Sequence, residues 1–227
     1  MVSGYEGKND ATWLDRDTLL VAAVEGPGTA TRSGYPRTVK MWKRGTPWSA
    51  ATLVAEGVEA DIRILAFGVM DGEIRRAVID RSTGFYTNRL SMRAPDGRWV
   101  ELPIPDTAQF QTVVGGQAIV SLVDPLGSFA PGSIVAYDIA AMLAGHKPVP
   151  TLVVAPSATQ AIEEVASSDN VLWVKALDDV SGKLFALARQ ANGTWARQTM
   201  TLPPAAPSIL PKRRASRILR SRRSKAC

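Results

Sequence analysis

The feature that most constrains this chain is a recurrence of short β-favouring runs separated by glycine-containing turns. The clearest runs are residues 18–24, 38–43, 118–123, 133–137, 171–177 and 183–188. Five dipeptides between such runs predict tight hairpins: Asp71-Gly72, Asp96-Gly97, Gly115-Gly116, Ser181-Gly182 and Asn192-Gly193. A parallel sheet would need helical crossovers of about a dozen residues, which the pattern lacks. The chain is therefore predicted to be all-β and built of antiparallel meanders.

Helical signals are confined to two short insertions. Residues 49–51 could form a single turn. Residues 138–144 could form about two turns, with Gly145 placed to end them. Neither is long enough to cover a sheet, so both are predicted to lie between strands.

A weak internal repeat organises the strands. Four segments each open with a turn, run through two strands joined by a hairpin and continue into a third strand, at about residues 11–57, 62–106, 110–155 and 161–202. A period of about 40–50 residues is typical of four-stranded propeller blades. A β-sandwich or barrel fits the same pattern, so the residues alone leave these architectures open.

Composition excludes several classes of protein. The 227 residues, with 45% hydrophobic and 21% charged side chains, describe a globular chain with enough apolar content for one sizeable domain or two small ones. No run approaches the roughly 18 apolar residues of a membrane span. Cys227 is the single cysteine, so a disulfide within the chain is excluded. Residues 1–8 lack the layout of a secretory signal, which leaves the cytoplasm as the default expectation.

The net charge of +6 comes from the C-terminal tail. From Leu202 to Cys227 there is no acidic residue, and there are eight basic ones: Lys212, Arg213, Arg214, Arg217, Arg220, Arg222, Arg223 and Lys225. Without them the chain has 19 basic and 21 acidic residues. The body therefore shows no bias toward polyanions.

Residues 13–47 carry a resemblance to a known family. They contain Gly26-Pro27-Gly28-Thr29, Ser33-Gly34-Tyr35-Pro36-Arg37, Val39-Lys40 and Trp42-Lys43-Arg44-Gly45-Thr46-Pro47. This order closely resembles a blade segment of bacterial prolyl oligopeptidase-family serine peptidases. Residues 131–138, 155–165 and 177–184 are also similar to that family. The likeness covers roughly residues 3–202.

The resemblance implies a partial β-propeller of about four blades over residues 1–202, followed by a disordered basic tail over 203–227. In that family a seven-bladed propeller covers an α/β-hydrolase domain and admits short proline-containing peptides. Trp42, Trp99, Trp173 and Trp195 occur about once per segment, which predicts packing between neighbouring blades.

No catalytic, cofactor-binding or metal-binding residue is predicted. A Gly-x-Ser-x-Gly elbow is absent from the sequence, and His146, the single histidine, is predicted to lie in a solvated loop. Asp169, Asp178 and Asp179 lack calcium-loop spacing and are predicted to serve turns. Asn192-Gly193-Thr194 matches a glycosylation acceptor, but a hairpin is the preferred interpretation. Gly115-Gly116 is not followed by a helix, so a phosphate loop is not supported.

Three interpretations of the tail from about Pro203 onward stay open. Its Pro, Ala, Ser, Arg and Leu composition favours translation out of frame, because GC-rich DNA read in a shifted frame gives such a composition. A disordered solubilising tail is the second interpretation. A nucleic-acid contact is the third and least favoured, since no aromatic side chains are interleaved for base stacking.

The leading hypothesis is a fragment of the substrate-gating propeller of a prolyl oligopeptidase-like enzyme, inactive alone because the catalytic domain is missing. The alternative is a freestanding propeller-like binding module that oligomerises through its open edges. The expected partners of the intact enzyme are the hydrolase domain and short proline-containing peptides, with no membrane and with nucleic acid disfavoured.

Overall fold

The computed structural model describes residues 8–179 and 181–201, and these form four antiparallel four-stranded sheets. We call them blades 1 to 4 in chain order. The strands of blade 1 are β1 Asp10–Trp13, β2 Thr18–Ala22, β3 Thr38–Lys43 and β4 Thr52–Glu56. The strands of blade 2 are β5 Arg63–Asp71, β6 Ile74–Ser82, β7 Asn88–Arg93 and β8 Trp99–Glu101.

Blades 3 and 4 repeat the plan. The strands of blade 3 are β9 Gln109–Val114, β10 Gln117–Ser121, β11 Ile134–Asp138 and β12 Thr151–Val154. The strands of blade 4 are β13 Gln160–Ser168, β14 Val171–Asp178, β15 Ser181–Arg189 and β16 Trp195–Met200. Every blade is an up-and-down meander, which confirms the prediction of an all-β partial propeller of four blades.

The two predicted helical insertions are present. Trp48–Ala50 forms a 3₁₀ turn between β3 and β4. The helix α1, Ile139–Leu143, follows β11, and the Asp138 carboxylate caps it by accepting a hydrogen bond from the Ala141 N–H at 2.8 Å. Gly145, at φ 86°, ends it as predicted. No helix in the described part of the chain is long and apolar enough to cross a bilayer.

The hydrophobic core lies between blades rather than within one. One cluster joins blades 1 and 2 through Leu20, Val39, Ile64 and Ile79. The largest cluster joins blade 2 to blade 3 and α1, and includes Met92, Val120 and Met142, while a third joins blade 3 to blade 4. Sheets stacked face to face around an axis bury their cores in this way.

The four tryptophans pack differently from one another. Trp99 packs against the cluster between blades 1 and 2, and Trp195 packs against the cluster between blades 3 and 4, as predicted. Trp42 instead pairs with Trp48 of its own blade, with ring centroids 6.5 Å apart. Trp173 donates from Nε1 to the Ser168 hydroxyl, also within its own blade, at 3.1 Å. Trp42 and Trp173 lie on the outward faces of terminal blades 1 and 4, where the described residues include no neighbouring blade, so packing between blades stays a prediction for these two.

Four of the five predicted hairpin turns are in place. Gly115 and Gly116 form a two-residue turn with φ of 56° and 74°, which non-glycine residues adopt reluctantly. The prediction for Ser181-Gly182 is wrong, because Gly182 pairs with Leu177 inside the ladder and the hairpin closes earlier, at the pair Asp178 and Ser181. Asp179 takes the positive φ there, at 51°, which a short polar side chain tolerates.

Candidate functional site

The first strand of each blade forms a central wall. β1 contacts β5, β5 contacts β9, and β9 contacts β13, so these four strands are the ones that converge as the blades fan out. A hydrogen bond of 2.7 Å between the hydroxyls of Thr112 and Ser167 links β9 to β13. Arg75 Nη1 donates to the Trp13 carbonyl at 3.2 Å and ties blade 2 to blade 1. The central wall is the surface that would line one side of a propeller channel.

The loops of the four blades lie on two rims. The hairpin rim carries the loops after the first and third strand of each blade: 14–17, 44–51, 72–73, 94–98, 115–116, 139–150, 169–170 and 190–194. The crossover rim carries the loops after the second strand and the connections between blades: 23–37, 57–62, 83–87, 102–108, 122–133, 155–159 and the turn after β14 that contains Asp179.

Loop 23–37 of the crossover rim contains the motifs that carry the family resemblance. Gly26 and Gly28 have φ of 137° and 79°, and the Thr29 hydroxyl closes the reversal by donating to the Gly26 carbonyl at 2.7 Å. Beyond it, the Thr31 N–H donates to the Tyr35 carbonyl at 2.8 Å, and Pro36 returns the chain to β3. The two glycines on either side of Pro27 therefore let the chain reverse at the start of this loop.

A buried ion pair fixes this rim where blade 1 meets blade 2. Arg81 on β6 donates from Nε and Nη2 to the Asp61 carboxylate at 2.7 and 3.2 Å, and the Val58 N–H donates to the same carboxylate at 2.7 Å. The Asp61 side chain is 4% exposed. A Cβ on Gly57 would lie 2.5 Å from Asp61 Oδ2, so only glycine allows this approach. Asp61 thus binds the connection 57–62 to β6.

The environment of Asp61 acts on its pKa in two opposed ways. Burial disfavours the ionised carboxylate, but the hydrogen bonds from Arg81 and the Val58 N–H, with the charge of Arg81, outweigh it and hold the pKa of Asp61 below its ordinary value. The same pair raises the pKa of Arg81. Asp61 is therefore ionised at neutral pH, and the contact is structural.

Two aromatic side chains project from the crossover rim. Phe85 and Tyr86 lie at the tip of the loop between β6 and β7 and are 88% and 82% exposed. The loop is closed beneath them, where the Thr83 and Gly84 N–H groups donate to the Thr87 carbonyl and the Thr83 and Thr87 hydroxyls lie 3.0 Å apart. An ordered loop that exposes two large aromatic side chains to solvent is typical of an interaction site.

Residues that the sequence marked as candidates for chemistry are scattered. His146 is exposed just after α1, and its backbone N–H donates to the Ala141 carbonyl at 3.0 Å. Asp169 occupies the β13–β14 turn with φ 48°, and Asp178 ends β14. The Asn192 side chain accepts from the Thr194 N–H and hydroxyl at 3.0 and 2.7 Å within the predicted β15–β16 hairpin. In residues 8–179 and 181–201 no three acidic, histidine or cysteine side chains cluster as metal ligands.

Sequence reasoning missed both features of the crossover rim. Asp61 and Arg81 lie 20 residues apart, and nothing in either neighbourhood marks the pair. The aromatic pair did carry a signal, since Phe85-Tyr86 follows Gly84 between two threonines where a turn residue would be expected.

The same architecture recurs in known proteins. An uncharacterized peptidase of Sinorhizobium fredii is 31% identical over 210 residues, which are 87% of this chain and 29% of that protein. The solved structure of a post-proline cleaving enzyme from Rickettsia typhi matches with a TM-score of 0.76 and 19% identity, over 87% of this chain and 30% of that one. No family model matches the chain.

A second solved structure, from a study of two prolyl endopeptidases, matches with a TM-score of 0.61 and 24% identity, over 86% of this chain and 27% of that one. The homologues of this chain are peptidases. The family resemblance carried by residues 13–47 is thereby confirmed, and the fold is the one found in prolyl endopeptidases. The chain spans between 27% and 30% of the length of these proteins, and it corresponds to a propeller-like portion of them.

Proposed function

We propose that this chain is part of the substrate-gating propeller of a prolyl oligopeptidase-like serine peptidase and does not cleave peptides by itself. The observation that carries the proposal is the apolar character of the outward faces of blades 1 and 4. On blade 1 this face includes Trp13, Leu19 and Trp42, which are cross-strand neighbours on β1, β2 and β3. Trp13 is 43% exposed. If blade 1 were the outermost sheet of a complete fold, its outward face would be expected to present polar side chains to water.

Blade 4 presents a similar outward face. Trp173 pairs with Ala186 across β14 and β15, and Val171 pairs with Ala188. Leu177 is 37% exposed on the same face. Faces of this composition are the ones that blades 2 and 3 bury against their neighbours, which supports a role for all four blades inside a larger ring.

The proposed mechanism is exclusion. The central wall of β1, β5, β9 and β13 would form one side of a channel that short proline-containing peptides pass and folded proteins do not. The chemistry would take place in an α/β-hydrolase domain, which the resemblance implies. Homologous prolyl endopeptidases combine such a domain with a propeller.

The crossover rim is the side we assign to the hydrolase domain. It carries Phe85 and Tyr86, the two most exposed large aromatic side chains among the described residues, on a loop that is closed by Thr83 and Thr87. Burial of two such rings at a domain interface would remove apolar surface from water and stabilise the docked arrangement.

The proposal is tested by a chimera. Residues 8–201 replace the matching segment of the Sinorhizobium fredii peptidase, and cleavage of a proline-containing octapeptide is compared with cleavage of a folded protein that carries the same eight residues in an exposed loop. We expect the chimera to cleave the octapeptide in preference to the folded protein, and the isolated 227-residue chain to cleave neither. Equal cleavage of both substrates by the chimera, or cleavage by the isolated chain, would reject the proposal.

The alternative of a freestanding module that oligomerises rests on the same outward faces and makes a different prediction. If the module is correct, light scattering of the pure chain shows one discrete oligomer at all concentrations. A fragment whose faces await further blades gives heterogeneous association instead, because exposed apolar faces and sheet edges pair without a fixed geometry.

A further inference from the structure

The hairpin rim contains a cleft that plays no part in the proposed gating role. It has a volume of about 520 Å³ and lies where blades 2 and 3 meet, with one residue contributed by blade 4. Ligand sites usually have volumes of about 300–1,000 Å³. The cleft is on the opposite rim from Phe85 and Tyr86, so what it binds can be tested separately from the gating proposal.

Three arginines from three separate segments line this cleft. Arg76 comes from β6, Arg98 from the loop between β7 and β8, and Arg189 from the end of β15. Apolar side chains line it as well, among them Pro95, Ile139 and Leu143, together with the acids Asp96 and Asp138. A cleft that combines cations with aliphatic carbon fits a ligand with an acidic end and an apolar body.

Arg76 is held in place from below. Its Nε donates to Asp71 Oδ2 at 2.8 Å and its Nη2 forms an ion pair with the same oxygen at 2.8 Å, while Asp71 Oδ1 accepts from the Gly116 N–H at 3.0 Å. The Asp71 and Arg76 side chains are 4% and 17% exposed. The Asp71 carboxylate therefore holds the Arg76 side chain and the turn at Gly115 and Gly116 together at the floor of the cleft. Because these groups are already ordered, a ligand that binds there would restrict little further side-chain motion.

The turn at Gly115 and Gly116 leaves room for a ligand. Both glycines line the cleft, and a Cβ at either position would meet no atom within 4 Å. The positive φ values select glycine here, and the missing side chains keep the backbone open to the cleft. A ligand can therefore approach the floor closely.

The charges of the cleft single out Arg189. Asp71 neutralises Arg76, and Asp96 accepts a hydrogen bond from Arg98 Nε at 2.7 Å. The remaining acid of the cleft, Asp138, accepts hydrogen bonds from the Ala141 N–H and from Gln117 Nε2. Arg189 is exposed and forms no ion pair with any residue in 8–179 or 181–201. It is the cation that is free to bind an anion.

We propose that this cleft binds the terminal carboxylate of a peptide whose last side chain is apolar. Arg189 and the outer nitrogens of Arg98 would bind the carboxylate, since a guanidinium matches a carboxylate with two parallel hydrogen bonds. The last side chain would lie on Pro95, Ile139 and Leu143. Capture of a C-terminal carboxylate is a recurrent mode of peptide recognition.

The test is titration calorimetry on the full 227-residue chain with two matched peptides, acetyl-Ala-Leu with a free carboxylate and acetyl-Ala-Leu amide. We expect the free acid to bind at least about tenfold more tightly than the amide. Added salt should weaken the binding of the acid but not that of the amide. Arg189→Gln and, as a second variant, Arg98→Gln should each weaken binding of the acid about tenfold. Arg63→Gln, which removes an exposed arginine at the start of β5 near the crossover rim, is the matched control and should change nothing.

Circular dichroism melting of each variant separates a binding defect from a folding defect. The proposal is overturned if acid and amide bind equally, if neither binds at millimolar concentration, or if Arg189→Gln and Arg98→Gln both fold and bind like the parent chain. Loss of binding in Arg63→Gln to the same extent would also overturn it, because it would show a general charge effect.

Discussion

Blades 2 and 3 differ from blades 1 and 4 in how their middle strands are buried. In blade 3, four consecutive residues of β10 and four of β11 are buried, so both faces of the sheet are covered. In β14 of blade 4, buried and half-buried residues alternate. The sequence of β14, Val-Leu-Trp-Val-Lys-Ala-Leu-Asp, is nevertheless almost as apolar as that of the covered strands.

This difference shows that the composition of a terminal blade does not match its exposure. A strand with one face in water normally alternates apolar and polar side chains, whereas a strand covered on both faces is apolar throughout. Apart from Lys175 and Asp178, β14 has the apolar sequence of a strand covered on both faces, but one of its faces is open to water. The mismatch is what the proposed function explains, because it assigns a further blade to the outward face.

The largest effect that tests this comparison is expected from two leucines of β14. Leu172 faces blade 3 and is 0% exposed, while Leu177 lies on the outward face and is 37% exposed. Leu172→Ala should lower the free energy of unfolding by about 2–5 kcal/mol because it leaves a cavity, and Leu177→Ala should cost less than about 1 kcal/mol. Urea unfolding of the two variants measures both. Equal losses would mean that the outward face is already covered in this chain.

The next effect concerns the joint between a terminal blade and an inner one. Arg81→Met leaves the Asp61 carboxylate buried without its cation, which should cost about 3 kcal/mol or more in unfolding free energy. Arg32→Met, at an ion pair with Glu59 whose side chains are 75% and 66% exposed, is the matched control and should cost about 0.5 kcal/mol or less. If the two variants unfold alike, Asp61 does not fix the joint.

The pH dependence of stability follows from the same carboxylate. Because the pKa of Asp61 is lower in the folded than in the unfolded chain, its contribution is fully present above the unfolded value of about 3.8. It is lost as the pH falls through the folded pKa. Asp61→Asn should therefore be less stable than the parent chain at pH 7, with the gap narrowing as the pH falls below about 4. A gap that stays constant down to pH 2 would contradict this account.

The smallest effect compares two polar side chains of the hairpin rim. Asp138→Ala removes the cap of α1 on inner blade 3 and should cost about 1 kcal/mol in unfolding free energy. Asn192→Ala removes an exposed turn contact on terminal blade 4 and should stay within about 0.5 kcal/mol of the parent chain. A larger loss for Asn192→Ala would reverse the expected order of inner and terminal blades.

The fold was largely predictable because its signals are local. The four segments expected at 11–57, 62–106, 110–155 and 161–202 match blades at 10–56, 63–101, 109–154 and 160–200. Hairpin dipeptides such as Asp71-Gly72 act over neighbouring residues, so a sequence shows them directly. The misplaced β14–β15 turn has the same local origin, since Asp179 can take the positive φ that was assigned to the dipeptide Ser181-Gly182.

The candidate sites were less predictable because they join distant residues. Arg76, Arg98 and Arg189 reach one cleft from three separate segments of blades 2 and 4, and no spacing rule connects them. The partners of Asp61 likewise depend on how two blades stack. The predicted boundary at 202/203 and the proposed disorder of the basic tail lie outside the described residues, and both stay predictions.

The central claim is that these four blades belong to a larger ring encoded together with a catalytic domain. Sequencing the coding DNA on both sides of codon 202 and translating every frame tests it most directly. The account predicts that one frame restores further blade strands and then a Gly-x-Ser-x-Gly elbow followed by an aspartate and a histidine. If no frame on either side encodes blades or an elbow, the claim is contradicted, and the oligomerising module becomes the function to pursue.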